Sequence, residues 1–394
     1  MDVLSELLGL PERQKEERGL SHTPAEIAQQ PATWQKTFEL FHSRHEEIRE
    51  FLQMAGVSAT DFNSRPAVFL IGAGTSDYVG QSLTPLLRRM WQCEVTAIPS
   101  TDLLAHEQAL TLPERRYLWI SFSRSGDSPE GVAVLHEALE RRPDILHLVV
   151  SCNSKGRMLR ESAGRPAALG IPLDDAVNDR GLAMTSSFSN MVILGQCLAH
   201  ANNFPPYADI LDKLIQGGES FLPVAAECAA ELATQPFTKA CMVGSGGLRA
   251  VARESALKLL ELTAGKTLTM SESALGLRHG PMAALDENTL FISFLSGDKR
   301  VQKFELDLLK EIAQKKLART RVAVSGLSNL ADSFAEYCLT PSSLVVNDDY
   351  RPPVDVIFGQ LLGLFFSLRW NLRPDSPSPN GAISRVVQNV NIHA

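Results

Sequence analysis

The chain has 394 residues, 44% of them hydrophobic and 21% charged, with a formal net charge of −7. That length allows two domains with sizeable cores, and the acidic balance argues against nucleic-acid partners, so an anionic ligand has to be held by a local site. Six cysteines without a Cys-x-x-Cys pair read as reduced core residues of a cytoplasmic protein, and the opening MDVLSELLGLPERQKEERG lacks the basic start and long apolar core of a signal peptide. The apolar stretch at 356–368, interrupted by Gly359, Gln360, Gly363 and Ser367, is too short to span a bilayer and suits a buried helix.

Residues 1–49 read as a helical segment. Thr23-Pro24-Ala25-Glu26 offers a capping-box threonine, a proline at the first helical position and a glutamate at the third. Trp34, Phe38, Phe41, Ile48 and Phe51 keep an approximately helical period. His42 and His45 lack a third firm ligand and read as solvated surface, not as a metal site.

From about residue 66 short apolar runs end in small residues and lead into helical patterns, which predicts an α/β fold with parallel sheets. The pattern occurs twice. AVFLIGAGTSDYVGQSLTPLL matches ACMVGSGGLRAVARESALKLL, LWISFSRSGDSPEGVAVLHEAL matches LFISFLSGDKRVQKFELDLLKEI, and LHLVVSCNSKG matches TRVAVSGLSNL. Gly74 and Gly246, Gly126 and Gly297, and Ser151 and Ser325 are separated by 172, 171 and 174 positions. The near-constant offset predicts two similar three-layer αβα sandwich domains, over residues 50–205 and 220–375, and a tail at 376–394 that closes the site.

Ligands of doubly wound sheets bind beyond the carboxyl ends of the strands, where turns feed helix N-termini. The first copy decorates those turns with hydroxyls: Gly74-Thr75-Ser76 after one strand, Ser121 to Ser128 after another. Glycine turns, hydroxyls and backbone amides can encircle a phosphate without a lysine; the plainer reading of each turn alone is helix capping. The second copy keeps only Ser245 and Ser296-Gly297. Neither Gly-x-Gly turn completes a dinucleotide fingerprint, and no GxxxxGK[ST] is present.

The second copy carries other chemistry. Glu254, Lys258 and Glu261 fall at i, i+4 and i+7 on one helical face, followed by Glu272 and His279. Carboxylates and imidazoles suit proton transfer at a sugar carbon; a solvated salt-bridged stripe is the alternative. The repeat assigns this helix to the first strand of the second domain, at the sheet end where ligands bind.

These residues resemble a known family. GAGTS at 72–76 and SFSRSGDS at 121–128 resemble the phosphate turns of sugar isomerase (SIS) domains, which are flavodoxin-like. ESALKLLEL followed by RHGP resembles the catalytic segment in the isomerase half of glucosamine-6-phosphate synthase. The EIAQQPATWQK and SPSPNGAISRVV stretches are most similar to the AgaS group, galactosamine-6-phosphate deaminase/isomerases also described as tagatose-6-phosphate ketose/aldose isomerases. The resemblance implies that Gly74, Thr75, Ser76, Ser123, Ser125 and Ser128 hold the phosphate. It implies Glu261 as general base between C1 and C2, Lys258 and Glu254 as its neighbours, and His279 as the ring opener, which in the synthase comes from the neighbouring subunit. A homodimer with a shared active site, or a higher homo-oligomer, follows, with no cofactor or metal. Two departures stand out: Arg385 is the candidate where the synthase has a C-terminal lysine, and no N-terminal cysteine is present to draw ammonia from glutamine. The implied reaction is conversion of galactosamine 6-phosphate to tagatose 6-phosphate and ammonia. A plain aldose/ketose isomerase and a non-catalytic sugar-phosphate sensor are the alternatives.

Overall fold

A computed structural model of the chain describes residues 2–326, 334–341, 344–387 and 390–393; the last part of the third repeat copy, LSNL at 327–330, lies outside them. The chain divides into two compact units. One comprises Thr33–Asn178, Ser186–Ala208 and Ile383–Ala394, the other Met1–Ala32, Asp179–Thr185 and Asp209–Ala382.

The first unit is built on β1 (Ala67–Gly72), β2 (Glu94–Pro99), β3 (Tyr117–Ser123), β4 (Leu146–Ser151) and β5 (Ala168–Pro172). They form one parallel sheet in the order β2-β1-β3-β4-β5. β1 and β3 are buried along their whole length, which is why they read as unbroken apolar runs and not as alternating ones. Phe69, Tyr117 and Trp119 pack with Leu103, Val134 and Ala138 of the helices Ser100–Leu110 and Pro129–Arg141. Helices Thr75–Trp91 and Ser186–Ala199 make another layer, and a Cβ on Gly195 would meet Leu83 Cδ1 at 2.1 Å. Trp34, Phe41 and Ile48 are fully buried. His45 is not simple surface: its Nε2 lies 2.7 Å from the Ala201 carbonyl and its ring stacks on Phe204 at 5.4 Å.

The second unit repeats this plan with β6 (Lys239–Gly244), β7 (Leu268–Ser273), β8 (Thr289–Leu295), β9 (Thr320–Ser325) and β10 (Tyr337–Leu339), ordered β10-β9-β8-β6-β7. Counted from its own first strand this is the same 2-1-3-4-5 order, all parallel. Phe291, Leu308, Leu309 and Ile312 fill its core with Cys241 and Val243. The apolar run after residue 352 forms the buried helix Pro352–Arg369. The glycines that interrupt it have a packing reason. A Cβ on Gly359 would meet Ser255 Oγ at 2.2 Å, and one on Gly363 would meet Leu262 Cδ1 at 2.6 Å, so this helix lies close against Gly247–Leu262. Gln360, fully buried, accepts at 2.7 Å from Gln30.

The anticipated capping box does not form. His22 precedes the helix Thr23–Ala28, and the Thr23 hydroxyl donates to Asp375 Oδ1 at 2.8 Å. Glu26 turns inward, its carboxyl group accepting from the amides of Arg180 and Gly181. Burial first, then the charge of Asp179, pushes its pKa up to about 8. A tertiary partner has displaced the local one. No helix among the described residues is long and apolar enough to cross a membrane. All six cysteines are free; Cys338 is exposed and not a core residue.

Candidate active site

β1 and β3 adjoin at the point where the order of the first sheet reverses, the position at which such sheets leave a crevice. After β1 the chain turns through Gly74 at φ 57° and ψ −124° into the helix Thr75–Trp91, a conformation open to glycine alone. Gly72 is equally constrained, since a Cβ there would lie 2.4 Å from the Ser76 carbonyl oxygen. Thr75 and Ser76 are 4% and 6% exposed, so their hydroxyls are set in the wall of the turn.

The turn after β3 is held by its own serines. Ser123 Oγ accepts from the Gly126 amide at 2.9 Å, and Ser125 Oγ from the Asp127 amide at 3.1 Å. Asp127 accepts from the Arg157 amide at 2.8 Å, and Asn153 donates to the Ser125 carbonyl at 2.8 Å. Ser128 precedes the helix Pro129–Arg141 yet makes no side-chain cap bond, so capping does not explain its hydroxyl. Within this unit Arg385 of the tail donates to the Asn178 side chain at 2.6 Å, and its carbonyl accepts from the buried Arg124. Arg124 escaped sequence reasoning because an arginine within a serine-rich turn reads as solvated until its burial is known.

In the second unit the charged stripe is real but largely dry. Lys258 Nζ lies 2.6 Å from Glu261 and 3.4 Å from Glu254; the Lys258 and Glu254 side chains are fully buried, whereas that of Glu261 is 24% exposed. A buried ammonium between two carboxylates offsets its desolvation by pairing. It also anchors Glu261 in one position while leaving it accessible, which suits a group that exchanges protons with a ligand.

The position of the stripe differs from the sequence expectation. The helix Gly247–Leu262 starts at the carboxyl end of β6, but Glu261 is its penultimate residue, roughly 21 Å further along the axis. Glu261 therefore sits at the amino end of its sheet, away from the β6 and β8 turns. β7 then returns to the carboxyl end before His279, which is exposed in a turn ending at Gly280, φ 121°. Glu254, Lys258 and Glu261 are brought together; His279 is not among them. Glu272 pairs with neither: it accepts from Arg249 at 2.6 Å and from the Ser273 amide at 2.7 Å, and the Ser273 bond holds its carboxyl below the usual range.

Among the described residues no three His, Cys, Asp or Glu side chains are grouped to hold a metal ion. An apolar hollow of about 590 Å³ at the amino end of β6 and β7 is lined by residues such as Lys239, Cys241, Lys266 and Leu268, and includes none of the candidate residues.

No protein-family model matches the chain. Individual proteins do, over nearly its whole length. An AgaS relative from Streptomyces coelicolor is 36% identical over 375 residues, 95% of each chain. The D-galactosamine-6-phosphate deaminase AgaS of Escherichia coli O157:H7 is 32% identical over 382 residues, 94% of this chain and 95% of that one. The solved structure of tagatose-6-phosphate ketose/aldose isomerase from Escherichia coli superposes with a TM-score of 0.84 at 28% identity, covering 94% and 96% of the two chains. With its two flavodoxin-ordered SIS domains and identity above 30% along almost all of its length, the chain belongs to the AgaS family.

Proposed function

We propose that this protein converts D-galactosamine 6-phosphate and water to tagatose 6-phosphate and ammonia. Membership of the AgaS family carries the reading, and the anchored, accessible Glu261 supports it. Thr75, Ser76, Ser123, Ser125 and Ser128, with the Gly74 turn, take the phosphate. His279 promotes ring opening to the C1 aldehyde. Glu261 removes the C2 proton, the resulting enolamine is reprotonated at C1, and the C2 imine that forms is hydrolysed to the ketose with release of ammonia. Lys258 and Glu254 fix the position of Glu261. The adjacent carbonyl or imine stabilises the intermediate, so the scheme calls for no metal or redox cofactor.

Among the described residues His279 is no part of the ion pairs that Lys258 makes with Glu254 and Glu261, which favours a homodimer in which His279 serves the partner's base. β7 is an edge strand, with Leu268 exposed at its start and Leu275 exposed just after its end, which suits a covering second copy. The reaction is assigned to the cytoplasm.

The test is ammonia and ketose production from purified protein with galactosamine 6-phosphate, glucosamine 6-phosphate and tagatose 6-phosphate. Ammonia from the first supports the deaminase. Ketose/aldose exchange without ammonia favours a plain isomerase, the activity named for the E. coli structure. Binding without turnover leaves a sensor. Glu261→Gln is expected to lose roughly 10²–10⁴-fold in kcat; retention of more than about a tenth would remove Glu261 from the role of base.

A further inference from the structure

The two sheets repeat each other down to the backbone of their turns. Gly246 enters its helix at φ 56° and ψ −131°, matching Gly74 at 57° and −124°. A Cβ on Gly244 would lie 2.3 Å from the Leu248 carbonyl oxygen, as one on Gly72 would lie 2.4 Å from that of Ser76. Ser296 stands where Ser125 stands in the first copy. Its Oγ accepts from the Asp298 amide at 3.0 Å, as Ser125 accepts from Asp127 at 3.1 Å.

The second copy has lost hydroxyls, with Gly247 and Leu248 in place of Thr75 and Ser76, yet its turn holds an anion that the chain itself supplies. The carboxylate of Asp348 receives three donors: the Ser296 hydroxyl on Oδ2, and on Oδ1 the Gly297 amide at 2.8 Å and Arg351 Nη1 at 3.0 Å. Arg351 and Ser296 are 1% and 3% exposed. Glu305, equally buried, accepts from the Ser296 amide at 2.8 Å, and its pKa is raised by burial. Hydroxyl, main-chain amide and guanidinium converging on one oxyanion are the donor set that phosphate and carboxylate ligands share. Beside the carboxylate is a hollow of about 350 Å³ whose lining includes Gly297, Asp298, Asn347 and Arg351.

We propose that the carboxyl end of the second sheet is an anion-binding site whose resident ligand is the Asp348 carboxylate. A tethered carboxylate outcompetes free phosphate by its effective concentration, so the site is closed from within and external phosphate is confined to the first copy. The asymmetry between the repeats is then one of occupancy as well as of lost hydroxyls.

Asp348→Gly in the full chain empties the site while leaving Arg351 its partner Asp355, 2.7 Å away. Equilibrium dialysis with labelled inorganic phosphate should find one more equivalent bound per chain than in the wild type. The melting temperature of the variant, lowered by about 5 °C, should recover in formate or phosphate and not in chloride of equal ionic strength. Because wild type is the reference, the outcome does not depend on whether the first sheet's turns hold substrate phosphate. A folded variant with no added equivalent and no formate-specific recovery overturns the proposal. Should Asp348→Gly fail to fold, refolding in formate against chloride is the same test. No recovery in either salt, with the isosteric Asp348→Asn folded, overturns it too.

Discussion

Lys258 shows how far burial changes the meaning of a charge. Exposed i,i+4 pairs contribute a few tenths of a kcal/mol, whereas removing one partner of a buried pair leaves an uncompensated charge. Lys258→Met is accordingly expected to lower unfolding free energy by about 3–5 kcal/mol, with Glu254 fully buried behind it; urea unfolding measures this, and a loss below about 1 kcal/mol would mean that the pair is solvated after all. Two buried titratable groups set opposing pH limbs. His147 is 1% exposed against Trp119, and burial pushes its pKa down to about 4 from 6.5. The unfolded chain takes up the proton that the folded chain refuses, so stability is lost as pH falls from about 6.5 to 4, on the order of 3 kcal/mol. Glu26 is raised from 4.5 to about 8: the folded state keeps a proton that the unfolded state gives up, so its contribution is complete below about 4.5 and lost as pH rises to 8. Melting temperatures across this range should show His147→Leu without the acid limb and Glu26→Gln without the alkaline one.

At the scale of elements, the helix pair Gly247–Leu262 and Pro352–Arg369 ties packing to the candidate site. Gly359 and Gly363 are one turn apart, and a Cβ on the second would also come 2.9 Å from the Lys258 carbonyl oxygen. Gly359→Ala places its methyl 2.7 Å from Ser255 Cα, too close for a rotamer change to relieve. The helices must separate, at a cost of about 1–3 kcal/mol, and Lys258 moves with its backbone. A fall in urea midpoint together with a fall in kcat is expected; an unchanged midpoint would mean that the two helices do not approach so closely. The sequence presented these glycines only as breaks in an apolar run. Their purpose depends on a helix about a hundred residues earlier.

For the molecule as a whole, a site shared between two copies makes assembly testable. Glu261→Gln and His279→Ala, each inactive alone, should recover about a quarter of wild-type activity when co-refolded, since statistical mixing gives half the dimers one intact site of two. Absence of recovery, with mixed dimers formed, would place both residues in the site of one chain. The fold class, the repeat and the parallel sheets were legible in the chain, because strand, glycine turn and helix are patterns of residues within a few positions of one another. The polar stripe on one helical face was legible for the same reason. Tertiary structure alone decided that Lys258 and Glu254 are dry, that Glu26 reaches an amide 154 residues away and not its own cap, that Arg124 meets Arg385 across 261 positions, and that Asp348 fills the turn of Ser296, 52 positions before it. Those partnerships connect residues that no local period relates; the packing of distant segments sets their distance and removes the water that would otherwise have served them.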